Sequence, residues 1–328
     1  METAIIQHNQ PTVSVVLCTY NGERYLAEQL DTILNQTYPI HEIIVQDDGS
    51  TDGTMAVLQR YAAEHSNIHV FVNQDHRWAL NSNFFSALRR ATGDFIAISD
   101  QDDIWELDKI ATQMAEMGDN YLSTHYSHNF TTDSSYSPND NRRPNYHLMH
   151  LMYSGFLGHT ILMRRDFFES LPMEHEIYDA SCYDVVLAMA AAAHEKLTFS
   201  DHVLVHHRKH AQAQSTIDYS DMQPTVRNAA HILSWSLRNY REASFWVRER
   251  YKTRLSFLKA LNAGTTTSRD AIEFCEAEVE TGLASYLRLT RLCYKHRRVL
   301  FWTVGDSFVK KIGRCCSLLC RWPITAAT

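Results

Sequence analysis

A chain of 328 residues with 45% hydrophobic and 21% charged side chains has material for one large packed domain with an appendage, or for two small ones. Its formal charge of −7 argues against nucleic acid as the main partner. Apolar runs such as Val299 to Val304 fall far short of the roughly 20 residues that span a bilayer, so no transmembrane helix is expected.

Val13 to Thr19 is a short β-branched apolar run without alternation, as expected of a strand covered on both faces, and Asn21-Gly22 ends it. Leu26, Leu30, Ile33 and Leu34 recur at helical spacing. Glu42 to Gln46 reads as a second strand, Asp52 to Glu64 as a helix with Leu58 and Tyr61 inward, and Ile68 to Val72 as a third strand. A third helix is expected from Ser82 to Ala91, with Gly93 just past its end. Phe95 to Ile98 is a fourth strand, and Leu107, Ile110, Met114 and Met117 mark a fourth helix. Four strand–helix alternations predict a mostly parallel, twisted α/β sheet with helices on both faces. Ligands of such sheets bind beyond the carboxyl ends of the strands. The residues there are Thr19-Tyr20-Asn21, Asp47-Asp48-Gly49-Ser50 and Asp100-Gln101-Asp102-Asp103.

Asp119 to Asn145 is polar and reads as a loop or hairpin insertion. A strand at His159–Met163, a helix at Asp184–His194 and strands near Leu197 and Val203 follow. Beyond about Asp221 the pattern is helical, with Gly264 to Ser268 separating two long helices. The expected organisation is a catalytic unit over 1–220, its halves 11–118 and 119–220, and a helical C-terminal extension over 221–328. Residues 281–328 hold nine Lys/Arg against one acid, Asp306, which suits an anionic surface such as a membrane leaflet. The first 12 residues are polar and carry no secretory signal, and seven scattered cysteines fit reduced thiols in the cytoplasm.

On an extended segment, residues two apart point the same way, so Asp100 and Asp102 can face one ligand. Carboxylates crowded in that way repel unless a cation lies between them, and Mg²⁺ or Mn²⁺ bound by carboxylates and substrate phosphates is the usual solution. A solvated turn in which Asp102 and Asp103 cap the next helix is the competing reading. After the second strand, Gly49, Ser50 and Asp52 are explained by turn and capping chemistry, whereas the Asp47-Asp48 pair is not. No Gly-x-Gly-x-x-Gly follows the first strand, which excludes nicotinamide chemistry of the dinucleotide-fold kind. His-Glu-x-x-His and paired Cys-x-x-Cys are absent too, so zinc is not expected despite 18 histidines.

Four blocks together resemble glycosyltransferase family 2, of the GT-A fold: Pro11 to Gly22, Gln36-Thr-Tyr38, Ile43 to Asp52, and Ser99 to Trp105. The Asp-Gln-Asp-Asp-Ile-Trp form is similar to that of bacterial rhamnosyltransferases that build surface polysaccharides. The resemblance implies a donor site in which Thr19, Tyr20, Asn21 and Gln101 line the nucleotide sugar, with Tyr20 beside the base. Asp48 would read the base, Asn83 would lie near the donor, and Asp100 would contact the ribose or the metal's surroundings. It further implies Mg²⁺ or Mn²⁺ on Asp102, with His210 helping to hold it, and Asp184 as the base that takes the acceptor proton. Tyr183 and Val185 stand where the family usually has His or Glu and Trp, which makes Asp179 the alternative base. The implied reaction is inverting transfer from a dTDP- or UDP-sugar, first of all dTDP-rhamnose, onto a glycan or lipid-linked acceptor. That would occur at the cytoplasmic face of the inner membrane. A UDP-hexose or UDP-N-acetylhexosamine donor, or an idle binding module on the same fold, are the alternatives.

Overall fold

The structure is a computed structural model and describes residues 10–73, 80–131, 145–152, 154–210, 238 and 240–300. Strands β1 (Val13–Thr19), β2 (Glu42–Asp47), β3 (Ile68–Val72) and β4 (Phe95–Ser99) alternate with helices α1 (Leu26–Leu34), α2 (Thr54–Glu64) and α3 (Leu80–Leu88). Next come β5 (Ile104–Trp105), α4 (Lys109–Met117), β6 (Leu122–Thr131), α5 (Leu148–Leu151), β7 (Leu162–Arg164), α6 (Arg165–Glu169), α7 (Ile177–Ala180), α8 (Tyr183–Ala193) and β8 (Leu197–Lys209). The helices α9 (Tyr240–Leu261), α10 (Thr266–Val279) and α11 (Leu283–Lys295) close the described chain.

All eight strands form one sheet in the order β3-β2-β1-β4-β7-β6-β8-β5. The pairs around β1, β2, β3 and β4 are parallel, as the strand–helix alternation requires, and β7 and β5 join antiparallel. Every residue of β1 and β2 is buried, which is why neither shows a polar alternation. Val15, Leu17, Ile43 and Val45 point to one face, against Leu26, Leu30, Ile33, Leu58 and Ile110 of α1, α2 and α4. Val16, Ile44, Ile96 and Ile98 point to the other, against Phe84 and Leu88 of α3 and the alanine-rich α8. Phe257, Phe274, Leu289 and Cys293 of the C-terminal helices belong to that second cluster, so α9 to α11 share a core with the sheet.

Three local expectations are corrected. Residues 119–145 are not one polar loop, because Leu122–Thr131 is the long strand β6. Ser123, Thr124 and His125 are fully buried there, and buried polar side chains leave no apolar period to detect. The strands near Leu197 and Val203 are one strand, β8, with a register shift opposite His125 and Tyr126. The segment His159–Met163 divides into a 3₁₀ turn at Gly158–Thr160 and the short β7.

Candidate active site

Parallel register brings the carboxyl ends of three strands together: Thr19 lies opposite Asp47, and Leu17 opposite Ser99. The loop after β2 is closed by Asp47, which is buried and accepts from Thr19 Oγ1 at 2.8 Å, Gly49 N at 3.0 Å, Ser50 N at 2.8 Å and Ser50 Oγ at 2.6 Å. Gly49 takes φ +79°, a conformation that a side chain would resist. Asp48 is left half-buried at the rim, where its Oδ1 accepts from Asn73 Nδ2 at 2.8 Å.

The loop after β1 is braced to its neighbours. The Asn21 side chain accepts from Thr51 N at 2.8 Å, and its own N–H donates to Ser50 Oγ at 2.9 Å. Gln101 Oε1 accepts from Tyr20 N at 2.9 Å, and Gln101 Nε2 donates to Tyr20 O at 3.0 Å. A Cβ at Gly22 would meet that Gln101 oxygen at 2.2 Å, so glycine admits the clamp. Asn21 and Gln101 therefore hold the loops, while the Tyr20 ring is half exposed above them. Asn83 is buried on α3 and donates to Gln46 O at 3.1 Å, and its Oδ1 has no partner among the described residues.

After β4 the carboxylates crowd. Because β5 runs antiparallel to β8, with Ile104 opposite His206, the end of β8 returns beside Asp102 and Asp103. His210 Nε2 lies 2.7 Å from Asp102 Oδ2. Arg208 donates through Nε to Asp102 O at 2.9 Å and reaches Glu28 Oε2 at 2.6 Å. Asp103 is fully buried, accepts from Arg208 N at 3.2 Å, and leaves its second oxygen without a hydrogen bond. The antiparallel β7 delivers the 3₁₀ turn to the same end, placing His159 Nδ1 at 3.5 Å from Asp100 and 3.7 Å from Asp103, with Nε2 2.9 Å from Ser127 Oγ.

The electrostatics follow from this crowding. Burial, then the charges of Asp100 and others, pushes Asp103 up to about 7, although the neighbouring His159 opposes it. Burial alone would hold His159 neutral, but Asp103 and Asp100 outweigh it and raise its pKa, so the pair keeps a proton between them near neutrality. Burial and then Asp100 raise Asp102 as well. Asp100, Asp103 and His159 offer ligand atoms within 4.8 Å of one another. Asp184 stands in the first turn of α8, where the helix dipole favours an acid, and its Oδ1 accepts from Val185 N at 2.7 Å. Burial, with Asp100 adding to it, pushes Asp184 up to about 7. Asn81 fixes this segment: Nδ2 donates to Tyr178 O and Ser181 O at 2.8 Å each, and Oδ1 accepts from Tyr183 N at 2.9 Å.

Residues 14–171 match the sequence model of glycosyl transferase family 2. They form a glycosyltransferase family 2 domain. The domain is 38% identical over 109 residues to the putative teichuronic acid biosynthesis glycosyltransferase TuaG of Bacillus subtilis, a match covering 33% of this chain and 42% of that protein. It is 33% identical over 114 residues to the UDP-Glc:alpha-D-GlcNAc-diphosphoundecaprenol beta-1,3-glucosyltransferase WfgD of Escherichia coli, covering 35% and 44%. The chain thus spans less than half the length of these curated relatives. The fold is that of the S. aureus TarS 1-349 crystal structure in complex with UDP-GlcNAc, with TM-score 0.53 and 16% identity over 88% of this chain and 82% of that one. The GT-A-like α/β fold is therefore established for the family 2 domain.

Within the domain and the strand that returns to it, Thr19, Tyr20, Asn21, Asp48, Asp100, Gln101, Asp102 and His210 gather around the ends of β1, β2 and β4. Asp184 joins them electrostatically through Asp100. Asp179 does not, because it lines a cavity between α3 and α7. His159, Asp103 and Arg208 are the residues that sequence reasoning missed. Asp103 adjoins a motif whose pairing drew attention elsewhere, and His159 is one histidine among 18 until β7 carries it to Asp100.

Proposed function

We propose that this chain transfers a sugar, with inversion, from a pyrimidine nucleoside diphosphate sugar to a hydroxyl of a bacterial surface-glycan acceptor. The observation that carries the reading is the convergence of Asp100, Asp102 and a raised-pKa Asp184 at one sheet edge. The Asp48 carboxylate at the rim suits a pyrimidine N3–H, which selects uracil or thymine over cytosine, and the Tyr20 ring stands beside it.

Divalent cations fit the chemistry of the donor set. Three carboxylates lie within four residues, and the buried Asp103 oxygen has no hydrogen bond. Mg²⁺ and Mn²⁺ keep water and phosphate ligands, so the holding residues must face solvent. The Asp100, Asp102 and His210 side chains retain 36%, 16% and 12% exposure, against 0% for Asp103 and 3% for His159. We therefore assign the cation to Asp100, Asp102 and His210, with Asp103 and His159 as the buried support that orients Asp100. When bound, the cation neutralises charge on the departing diphosphate. Asp184, poised near 7, takes the proton of the attacking hydroxyl. One carboxylate suffices because a single displacement forms no covalent enzyme intermediate.

For the donor, the UDP-Glc substrate in the name of WfgD and the UDP-GlcNAc bound in the TarS complex favour a UDP-sugar, glucose or N-acetylglucosamine. A dTDP-rhamnose donor is supported by the Asp-Gln-Asp-Asp-Ile-Trp block alone. The name of WfgD includes a diphosphoundecaprenol acceptor, and such an acceptor would bring this chain to the cytoplasmic face of a membrane. Exposed Leu283, Leu287 and Tyr294 on α11 suit that contact. Its cations suit it less: Arg288 and Lys295 pair with Glu280 and Asp270, and Arg291 with Glu273. No described helix is long and apolar enough to cross a membrane. The remaining basic residues Lys310, Lys311, Arg314 and Arg321 and the Cys315-Cys316-x3-Cys320 group lie outside the described residues. The deciding experiment measures nucleoside diphosphate release from a panel of UDP-, dTDP- and GDP-sugars with Mn²⁺, Mg²⁺ or chelator. Cation-dependent release from one pyrimidine donor is expected, and turnover unaffected by chelator would refute the metal assignment.

A further inference from the structure

Away from the Asp100–Asp103 cluster, α3 and the segment leading into α7 line a half-open cavity of about 620 Å³, within the roughly 300–1,000 Å³ range of small-molecule sites. Phe85 and Tyr178, packed edge to face at 4.7 Å, supply its apolar surface. Arg89, Glu174 and Asp179 also line it, and none of the three makes a side-chain ion pair or hydrogen bond among the described residues. Arg90 lines it too, its guanidinium held 4.1 Å over the Phe71 ring, so two arginines face two carboxylates and leave no excess of positive charge for a phosphate. The Tyr178 hydroxyl is buried and has no hydrogen-bond partner among the described residues, so the ring meets the cavity through its apolar surface.

We propose that this cavity is a subsite for an uncharged sugar unit of the acceptor glycan. A pyranose has C–H faces that pack on aromatic rings and hydroxyls that both donate and accept, which matches Arg89, Glu174 and Asp179 around Phe85 and Tyr178. The wall is rigid: His175 Nε2 is 2.9 Å from Ser256 Oγ, and its Nδ1 accepts from Ile177 N at 3.1 Å. Asn81, also in the wall, holds the carbonyls of Tyr178 and Ser181 and the N–H of Tyr183. The cavity wall and the backbone that carries Asp184 are thus one hydrogen-bonded unit, so a sugar seated here bears on the placement of Asp184. The acceptor role rests on the transferase reading above, whereas the sugar site rests on the cavity itself.

The test is saturation-transfer NMR on the full chain with methyl glycosides of glucose, N-acetylglucosamine, N-acetylgalactosamine and rhamnose, with UDP affinity measured on the same samples. At least one glycoside should receive saturation from the wild type. Its signal should fall at least fivefold in Ser86→Trp, which fills the cavity, and severalfold in the surface variant Arg89→Ala, with UDP affinity kept within twofold. Arg89→Ala keeps the test decisive if Ser86→Trp fails to fold. No saturation of any glycoside, or signals unchanged in Arg89→Ala, would overturn the proposal, as would UDP affinity falling in parallel with the sugar signal. Sugar binding without any wild-type UDP binding would support the site while removing the transferase reading.

Discussion

The loops after β2 and β4 each carry two adjacent aspartates, one buried and one nearer the surface, yet they are finished to different degrees. Asp47 accepts four hydrogen bonds from neutral donors of its own and the neighbouring loop. Asp103 accepts one, from Arg208 N, and is pushed up to about 7 by burial. The first loop is complete as it stands and presents Asp48 on a rigid rim. The second concentrates negative charge that the protein's own donors do not satisfy. Burial alone therefore does not mark a carboxylate as functional; the number and kind of its donors separate a structural aspartate from one that belongs to a site.

The comparison can be broken by substitution. Asp184→Asn should lower transfer by roughly 10²–10⁴-fold, read as kcat in a coupled nucleotide-release assay, because the proposed general base is gone. In the wild type, kcat/KM should rise with pH and level off above about 7, as Asp184 loses its proton. A flat profile from pH 5 to 8 would remove Asp184 from that role. Asp102→Ala should cost on the order of 10²–10³-fold in turnover, comparable to losing one strong electrostatic contact to the transition state, with little change in melting temperature.

Stability separates the two buried aspartates. Asp47→Ala orphans four donors and should cost about 2–4 kcal/mol in urea unfolding. Asp103→Asn should do the reverse at high pH. Its folded pKa, about 7, lies above the unfolded value of 3.8, so its favourable contribution is present at low pH and is lost as pH rises through 7. In chelator at pH 8 the asparagine variant should be more stable than wild type by on the order of 1–2 kcal/mol, and equal to it near pH 4. The smallest effect belongs to the rim: Asp48→Asn still accepts from Asn73 and should raise donor KM about tenfold, with discrimination against cytidine nucleotides relaxed.

Much of this was legible in the chain. Largely apolar runs without alternation at Val13–Thr19 and Ile43–Val45, with helical spacing between them, specify a parallel sheet and hence the edge where ligands sit. Asp100 and Asp102 are visible because their spacing places two charges together on an extended segment. What stayed hidden depends on long-range pairing. His159 reaches Asp100 only because β7 runs antiparallel to β4, and Arg208 and His210 reach Asp102 only through the β5–β8 pair. The strand β6 escaped because Ser123, Thr124 and His125 are polar and buried, a combination that erases the alternation by which strands are read. Gln101 and Asn21 were expected at the ligand, and their side chains also tie loop to loop, a role residue type does not reveal.

The most direct test of the unfinished β4 loop is calorimetric titration of UDP with and without Mn²⁺, in wild type, Asp102→Ala and Asp103→Asn. Mn²⁺ should tighten UDP at least tenfold in the wild type and in Asp103→Asn, and should have no effect on Asp102→Ala. Cation-independent UDP binding in the wild type, or linkage lost in Asp103→Asn and retained in Asp102→Ala, would contradict the assignment of the cation to Asp102.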